Sequence, residues 1–478
     1  MTYTHNKTAE TGTDNSRTDK VWVLALTSIA SFMVALDALA LTTALSTIRA
    51  DLDTSIDTLE WTFNAYNISF AVLLLTGAAL GDRFGRRRMF ATGLGLFVAA
   101  SVGCALAGGI GMLIAARAIQ GVGAALIMPL AMALLSATFS REERGRVLGL
   151  FSGITGLALI AGPVVGGAIA GGLAWQWIFW INLPIGCAVI VLLFRRCPES
   201  LGPAAALDMR GLLLVTATAL AIVWALVRGN RAGWASAEVL AALCAGVGLA
   251  GAFVVWELRT PAPMVPMRLF RNRAFGAGIG ASFLFYAAMY SVVFFLPQFL
   301  QTAQAFGPLD AGLRLLPWTA TLFVFAPIGG RLVNRLGERR LVAGGSLLQA
   351  IGFAWVTLIA VPDLAFVHLV APLVIAGAGV SLAMPAAQTA VLSAVAPAEI
   401  GKASGVFNMA RFFGGTFGIA LLVAVFTTRG SISSPQAFNA GFTPAIAVSA
   451  ALSLAGAIVA LALPGRRDPA LVPAKAGA

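Results

Sequence analysis

Charged side chains are scarce in this chain of 478 residues: Asp, Glu, Lys and Arg make up 11% of it, whereas hydrophobic residues make up 59%. Soluble domains carry about 25% charged residues. Several long stretches contain no charged residue at all, among them positions 21–36, 89–116, 147–194 and 274–309. Since about 20 apolar residues are enough to cross a bilayer as a helix, the composition excludes a soluble fold and predicts an all-α polytopic membrane protein.

Cysteine and histidine, the residues that most often bind metals or take part in catalysis, are also few. The four cysteines and two histidines have no metal-binding or redox spacing, and no Walker motif for ATP and no nucleophile constellation occurs. These absences argue against an enzyme, a metalloprotein and a pump ATPase, and we expect no cofactor. The net charge of +12 does not indicate a nucleic-acid partner, because the basic residues are spread over short loops instead of forming one face.

Apolar runs cut at charges, turns and length predict fourteen spans, and the basic residues test that count. With the first segment inside, most Lys and Arg residues fall in inside loops and the first outside loop, with Asp51, Asp53, Asp57 and Glu60, is acidic. Cytoplasmic loops collect Lys and Arg, so both termini are predicted to be cytosolic, with a disordered tail at 1–20 and a cytosolic tail at 464–478. The predicted spans are 21–45, 61–80, 89–109, 112–138, 147–171, 176–194, 210–228, 237–257, 274–297, 310–330, 341–361, 366–394, 405–427 and 442–463.

Two parts of the chain repeat each other. GVGAALIMPLAMALLS at 121–136 parallels GAGVSLAMPAAQTAVLS at 377–393, and GDRFGRRR at 81–88 has a partial copy within GGRLVNRLGERR at 329–340. The copies predict two pseudo-symmetric six-helix bundles, at 21–194 and 274–463, with two additional helices in the linker 195–273. Repeats of this kind are typical of transporters whose substrate site lies between two halves.

GDRFGRRR between the second and third spans resembles the loop motif of the major facilitator superfamily. With the repeat and the span count, the chain is similar to its fourteen-helix drug:proton antiporters of the EmrB/QacA type, which have the major facilitator fold. In that family the loop is a conformational latch between the halves; the alternative is that its arginines only set the topology. The resemblance places the latch at Asp82, Arg83, Gly85, Arg86 and Arg87.

GPVVGG in the fifth span is a second motif. Glycines four residues apart let a partner backbone approach closely, and the proline favours a bend. In the superfamily this motif is associated with antiporters, so the resemblance implies export; a generic packing face is the alternative. The motif residues are Gly162, Pro163, Gly166 and Gly167.

Three further stretches resemble the fourteen-helix subfamily: VALDALALTTAL at 34–45, WQWIFWINLPIG at 175–186 and FNMARFFGGTFG at 407–418. Asp37 in the first is the only acid deep inside a predicted span, and such residues are usually functional because apolar burial is unfavourable for a charge. Arg117 in RAIQGVG resembles a fourth-helix motif linked to proton coupling. We expect the two to meet and to carry proton coupling, or else to form a static structural pair.

The substrate cavity has four candidate residues: Tyr286, Tyr290, Asn408 and Arg411. The two tyrosines lie one helical turn apart and could line an apolar cavity, although lipid contact is the default for aromatic residues there. Arg314 and Asp310 are spaced i,i+4, which predicts a local ion pair.

The sequence therefore predicts a proton-coupled antiporter in a bacterial cytoplasmic membrane, working as a monomer by alternating access. Its partners would be protons, the lipid bilayer and a small lipophilic substrate such as an antibiotic or natural product. The alternatives are a proton symporter or facilitator that imports a polar solute, and a non-transporting membrane sensor or scaffold.

Overall fold

The computed structural model describes residues 8–202, 208–396 and 399–465. Within these residues the chain forms nineteen α-helices and one 3-10 helix, with no strand. Helices satisfy every backbone polar group internally, which a lipid environment requires. The helices are α1 (Thr8–Asp51), α2 (Ile56–Leu59), α3 (Trp61–Phe84), α4 (Arg86–Ala105), α5 (Ile110–Thr138), α6 (Arg141–Gly156), α7 (Ala158–Gly172), α8 (Trp177–Trp180), α9 (Asn182–Arg196), α10 (Met209–Ala232), α11 (Ala237–Arg259), the 3-10 helix Met267–Arg271, α12 (Arg273–Thr302), α13 (Pro308–Arg314), α14 (Leu316–Thr319), α15 (Thr321–Leu336), α16 (Glu338–Ile359), α17 (Val367–Ser393), α18 (Ile400–Arg429) and α19 (Pro435–Ala460).

Fourteen segments of the described chain are long and apolar enough to cross a membrane, which confirms the predicted number. Some spans combine two or more helices, because a proline or a break in the helix interrupts the hydrogen bonding without ending the apolar run. The tenth span, Pro308–Val333, contains α13, α14 and most of α15.

The described chain divides into two compact units. The first holds the residues up to Thr54 together with Trp61–Asp208, and the second holds Ser55–Glu60 together with the residues from Met209 onward. The two additional helices, α10 and α11, therefore group with the second unit, where α10 packs against α18.

Similar glycine contacts occur in the two units. In the first unit Gly93 of α4 faces Gly123 of α5, and in the second Gly345 of α16 faces Gly379 of α17. At each of these positions an added side chain would meet the backbone of the partner helix, so each helix pair packs at close range.

The N-terminal segment differs from the prediction. Residues 8–20, predicted to be part of a disordered tail, continue α1 as helix. Extending an existing helix adds one hydrogen bond per residue without a new nucleation step, so an apolar span can extend into polar sequence. Residues 1–7 and 466–478, which hold the remainder of the two predicted tails, lie outside the described residues.

The first outside loop also differs from the prediction. The second span begins at Ile56, and Glu60, predicted to lie in the acidic first outside loop, is part of this span and completely buried. Among the described residues neither of its carboxylate oxygens has a hydrogen-bond partner. A charge-based boundary at Trp61 excluded the short helix α2, because Asp57 and Glu60 lower the local hydropathy.

Candidate functional site

Asp37 and Arg117 meet within the first unit, as predicted. Asp37 lies on α1 and Arg117 on α5, and both side chains are completely buried. Nη1 of Arg117 donates to Oδ2 of Asp37 over 2.5 Å. The two opposite charges neutralise each other inside a span, which is the arrangement in which such residues are tolerated there.

Neutral polar side chains complete the coordination of Asp37. Asn182 at the start of α9 donates to Oδ1 over 2.8 Å, and Gln120 donates to the same oxygen over 3.3 Å. Ser101 of α4 accepts from both amides, at 2.7 Å from Gln120 and 3.2 Å from Asn182. Helices α1, α4, α5 and α9, all in the first unit, thus hold one buried carboxylate by three side-chain donors.

The guanidinium of Arg117 has partners besides the carboxylate. It donates through Nε to the carbonyl of Thr62 over 3.2 Å and through Nη1 to Gln120 over 2.8 Å. Its Cζ lies 4.3 Å from the centre of the Tyr66 ring and 5.9 Å from that of Phe179. Aromatic faces attract a guanidinium, so the cation keeps favourable contacts when the carboxylate is neutral.

The glycines of GPVVGG pack α7 against α1. An added side chain at Gly162 would collide with Leu39, and one at Gly166 would collide with the backbone of Ala40. The hydroxyl of Thr43 on α1 donates to the carbonyl of Pro163 over 3.2 Å. The predicted close backbone approach is present, and it fixes the helix turn directly after Asp37.

The chain turns at Gly85 within the loop motif at 81–88. Gly85 has a φ of 104°, a conformation that glycine adopts without strain. Asp82 accepts from Nε of Arg86 over 2.8 Å and, through its carbonyl, from the N–H of Gly202 over 3.0 Å. Arg83 lies beside Phe84, with its Cζ 5.4 Å from the ring centre.

Glu199 is a partner of this loop that the sequence did not indicate. Its carboxylate accepts from the backbone N–H of Arg87 over 2.9 Å and of Arg88 over 3.2 Å, at the N-terminus of α4. Nη1 of Arg87 donates to the carbonyl of Cys197 over 2.9 Å. Within the first unit the motif therefore binds the segment 197–202; its action as a latch stays a prediction.

The second unit brings three of the four cavity candidates together. Arg411 of α18 donates through Nε to the hydroxyl of Tyr290 on α12 over 3.3 Å, and its Cζ lies 5.1 Å from the centre of the Tyr286 ring. Asn408 does not join them, because its amide donates to the carbonyl of Ser404 in its own helix over 2.9 Å.

Other predictions concern single contacts. The ion pair between Arg314 and Asp310 is confirmed, at 3.1 Å. Gln120, Asn182 and Ser101 were missed as site residues. Two of them lie in stretches already quoted for their resemblance, which was the available signal: Gln120 follows Arg117 by one helical turn within RAIQGVG, and Asn182 lies within WQWIFWINLPIG. Ser101 is polar but uncharged, and nothing in its spacing sets it apart.

Comparison with known proteins agrees with this architecture. The sequence profile of the Major Facilitator Superfamily matches residues 27–419. The chain belongs to the Major Facilitator Superfamily. Among solved structures, the nucleoside transporter NupG matches with a TM-score of 0.66 and 14% identity over 92% of this chain and 99% of NupG, which shows the shared fold.

Curated relatives indicate which kind of transporter within the superfamily this chain resembles. The multidrug resistance protein Stp of Mycobacterium tuberculosis (strain CDC 1551 / Oshkosh) is 33% identical over 86% of this chain and 76% of its own length. The cephamycin export protein CmcT of Amycolatopsis lactamdurans is 34% identical over 95% of both chains. With its fourteen spans the chain fits the drug:proton antiporter family, and the prediction of a multi-pass efflux transporter, not an enzyme, is confirmed.

Proposed function

We propose that this protein exports small lipophilic compounds, such as antibiotics or natural products, in exchange for protons. The observation that carries the proton coupling is the buried Asp37–Arg117 pair, in which a single carboxylate receives three side-chain donors within a span. The substrate class is supported by the relatives, which are named for multidrug resistance and cephamycin export.

The proton would act on the Asp37 carboxylate. When Asp37 accepts a proton, Arg117 loses its counter-charge but keeps the ring of Tyr66 and the carbonyl of Thr62. Buried polar groups with fewer partners favour rearrangement, so protonation would loosen α1 from α5. Release of the proton to the cytosol would restore the pair.

The driving force is adequate for this role. One charge that moves through 100 mV yields about 2.3 kcal/mol, which corresponds to about fifty-fold accumulation of substrate. No cofactor enters this cycle, since the proton gradient supplies the energy.

The proposed setting is a bacterial cytoplasmic membrane, with both termini in the cytosol and the protein acting as a monomer. The cytosolic side of the loop at 81–88 follows from its arginines. The alternative of an importer is disfavoured by the motif GPVVGG, which is associated with antiporters, and by the relatives named for drug resistance and export.

The test is a drug panel and a dye-accumulation assay in an efflux-deficient bacterial host. We expect wild-type protein to raise resistance to at least one lipophilic compound and to lower its accumulation, and an uncoupler to abolish the effect. Asp37→Asn should remove proton-driven export, whereas Asp310→Asn, at an exposed ion pair, should retain it.

Two results would contradict the proposal. Full proton-driven transport by Asp37→Asn would show that coupling lies elsewhere. Uptake of a polar solute that is driven by an inward proton gradient, without export of any compound in the panel, would favour the importer.

A further inference from the structure

Arg411 is an arginine inside a membrane span, and no carboxylate of the described residues pairs with it. It lies about 17 Å along α18 from Ile400, at 1.5 Å per residue of a 30-residue helix, and so falls well inside the span Ile400–Arg429. Among the described residues it forms no ion pair, and the single hydrogen bond it makes uses Nε. Its Nη1 and Nη2 are therefore left without a protein acceptor.

Few acids lie on the helices around Arg411. The helix α18 and its neighbours α10, α12, α17 and α19 contain no Asp or Glu, and of the helices packed against α18 only α2 carries one, Asp57. The contrast with Arg117 and Arg314 is clear, because each of these is paired with a carboxylate, Asp37 or Asp310.

Close packing of α18 against α12 fixes the position of Arg411. Three glycines of α18 approach α12 at close range, and at Gly414 and Gly418 an added side chain would meet the carbonyls of Phe283 and Ala287. This packing brings Arg411 against Tyr286 and Tyr290, whose ring centres are 6.2 Å apart. The third glycine, Gly415, faces the Tyr290 ring.

The cluster offers donors that point to an anion. The hydroxyl of Tyr286, like the Nη atoms of Arg411, makes no hydrogen bond within the described residues. A guanidinium presents two parallel N–H groups that match the two oxygens of a carboxylate. Aromatic rings form an apolar surface beside these donors. The ring centre of Phe407 lies 6.1 Å from that of Tyr286, and the ring centre of Phe412 lies 6.4 Å from that of Tyr290.

We propose that Arg411, Tyr286 and Tyr290 form a subsite for the carboxylate of a lipophilic organic anion. The guanidinium binds the oxyanion, the Tyr286 hydroxyl adds a donor, and the aromatic rings contact the apolar body. This subsite rests on the proposed function, because it assigns part of the exported substrate to the second unit.

The test compares three probes with the same aromatic body and different head groups. These are 1-pyrenebutyrate, the neutral 1-pyrenebutanol and the cationic 1-pyrenebutylamine, titrated by fluorescence against the full-length protein in detergent. We expect wild-type protein to bind the carboxylate at least tenfold more tightly than the alcohol, and the alcohol more tightly than the amine.

Four variants test which residues cause the preference for the carboxylate probe. Arg411→Gln should bind carboxylate and alcohol equally, Arg411→Lys should keep part of the preference, and Tyr286→Phe should reduce it severalfold while leaving the alcohol unaffected. Arg314→Gln removes an arginine of the same unit outside the cluster and should behave as wild type. Melting temperatures in the same detergent identify any variant that is misfolded, in which case Arg411→Lys and Tyr286→Phe carry the test.

The outcomes separate the subsite from the transport activity. Equal binding of carboxylate and alcohol by wild type, or an unchanged preference in Arg411→Gln, would overturn the subsite even if export is intact. Selective carboxylate binding without proton-driven export in vesicles would support the subsite and contradict the proposed function.

Discussion

The amide of Asn182 donates a hydrogen bond of 2.8 Å to the same oxygen of Asp37 that Gln120 approaches at 3.3 Å. Hydrogen bonds to charged groups contribute about 1.5–3 kcal/mol, so this contact helps to hold the buried carboxylate in place. Asn182→Leu should therefore lower the melting temperature in detergent and slow proton-driven export. Melting curves and initial export rates in vesicles measure the two effects, and wild-type values for both would contradict this role of Asn182.

Removing one member of the buried ion pair should cost more stability than removing both. Arg117→Gln leaves the Asp37 carboxylate without its counter-charge, and breaking a buried pair costs about 3–5 kcal/mol. Adding Asp37→Asn to Arg117→Gln should restore part of the melting temperature in detergent. A double variant less stable than Arg117→Gln alone would argue that the two residues do not act as a pair.

The contact of α7 with α1 predicts a steric effect at one glycine. Gly166→Ala places a side chain against the backbone of Ala40, and overpacking of this kind costs about 1–3 kcal/mol. Gly153→Ala, in the same span but with open space around it, is the matched control and should not lower the melting temperature. Equal effects of the two substitutions would mean that close packing is not what Gly166 provides.

Glu199 should stabilise the loop motif through the helix end that it caps. Loss of a cap typically costs about 0.5–2 kcal/mol, and Glu199→Ala also removes the carboxylate 3.7 Å from Nε of Arg87. We expect faster proteolysis of the loop at 81–88 in Glu199→Ala, whereas Glu199→Asp keeps the charge and should lie between this variant and wild type. Identical cleavage rates in all three proteins would contradict the capping role.

We expect the stability of the fold to depend on pH through Glu143, which lies outside the membrane spans. The hydrogen bond from Nζ of Lys20, at 2.8 Å, and that from the backbone N–H of Ser140 lower the pKa of Glu143 below its usual value. A carboxyl whose pKa is lowered on folding stabilises the fold above its unfolded value, about 4.3 for Glu, and loses this contribution as the pH falls through its folded value.

The comparison of wild type with Glu143→Gln measures this effect. The wild type should melt slightly higher at pH 7, and the difference should shrink as the pH falls below about 4.3. The effect is small because the pair is exposed and screened by water. A difference that grows on acidification would have the wrong sign for this pair.

Charge and hydropathy were sufficient to predict the spans, because insertion into a bilayer imposes a length and a loop charge on every helix. The pair of Asp37 and Arg117 could be predicted for a related reason, since an isolated charge inside a span is rare. The helix at residues 8–20 and the burial of Glu60 could not, because both depend on how far a helix continues past the apolar run.

The polar partners of these charged residues could not be predicted from the sequence. Asn182 lies 145 positions from Asp37 and Glu199 lies 112 from Arg87, and only the packing of the helices brings them together. An uncharged polar residue in an apolar helix has many structural roles, so its side-chain identity alone does not indicate a site. The Gly162/Gly166 spacing predicted a close approach correctly, but only the structure shows that α1 is the helix approached.

Within the described part of the chain, every side chain that donates to Asp37 comes from the first unit. The proposed proton acceptor is thus held by one bundle alone, and proton binding to it can be studied by spectroscopy in the absence of any transported compound. Alternation between the two sides of the membrane would then change which aqueous phase reaches this carboxylate, and its ion pair with Arg117 would break and form again with each proton.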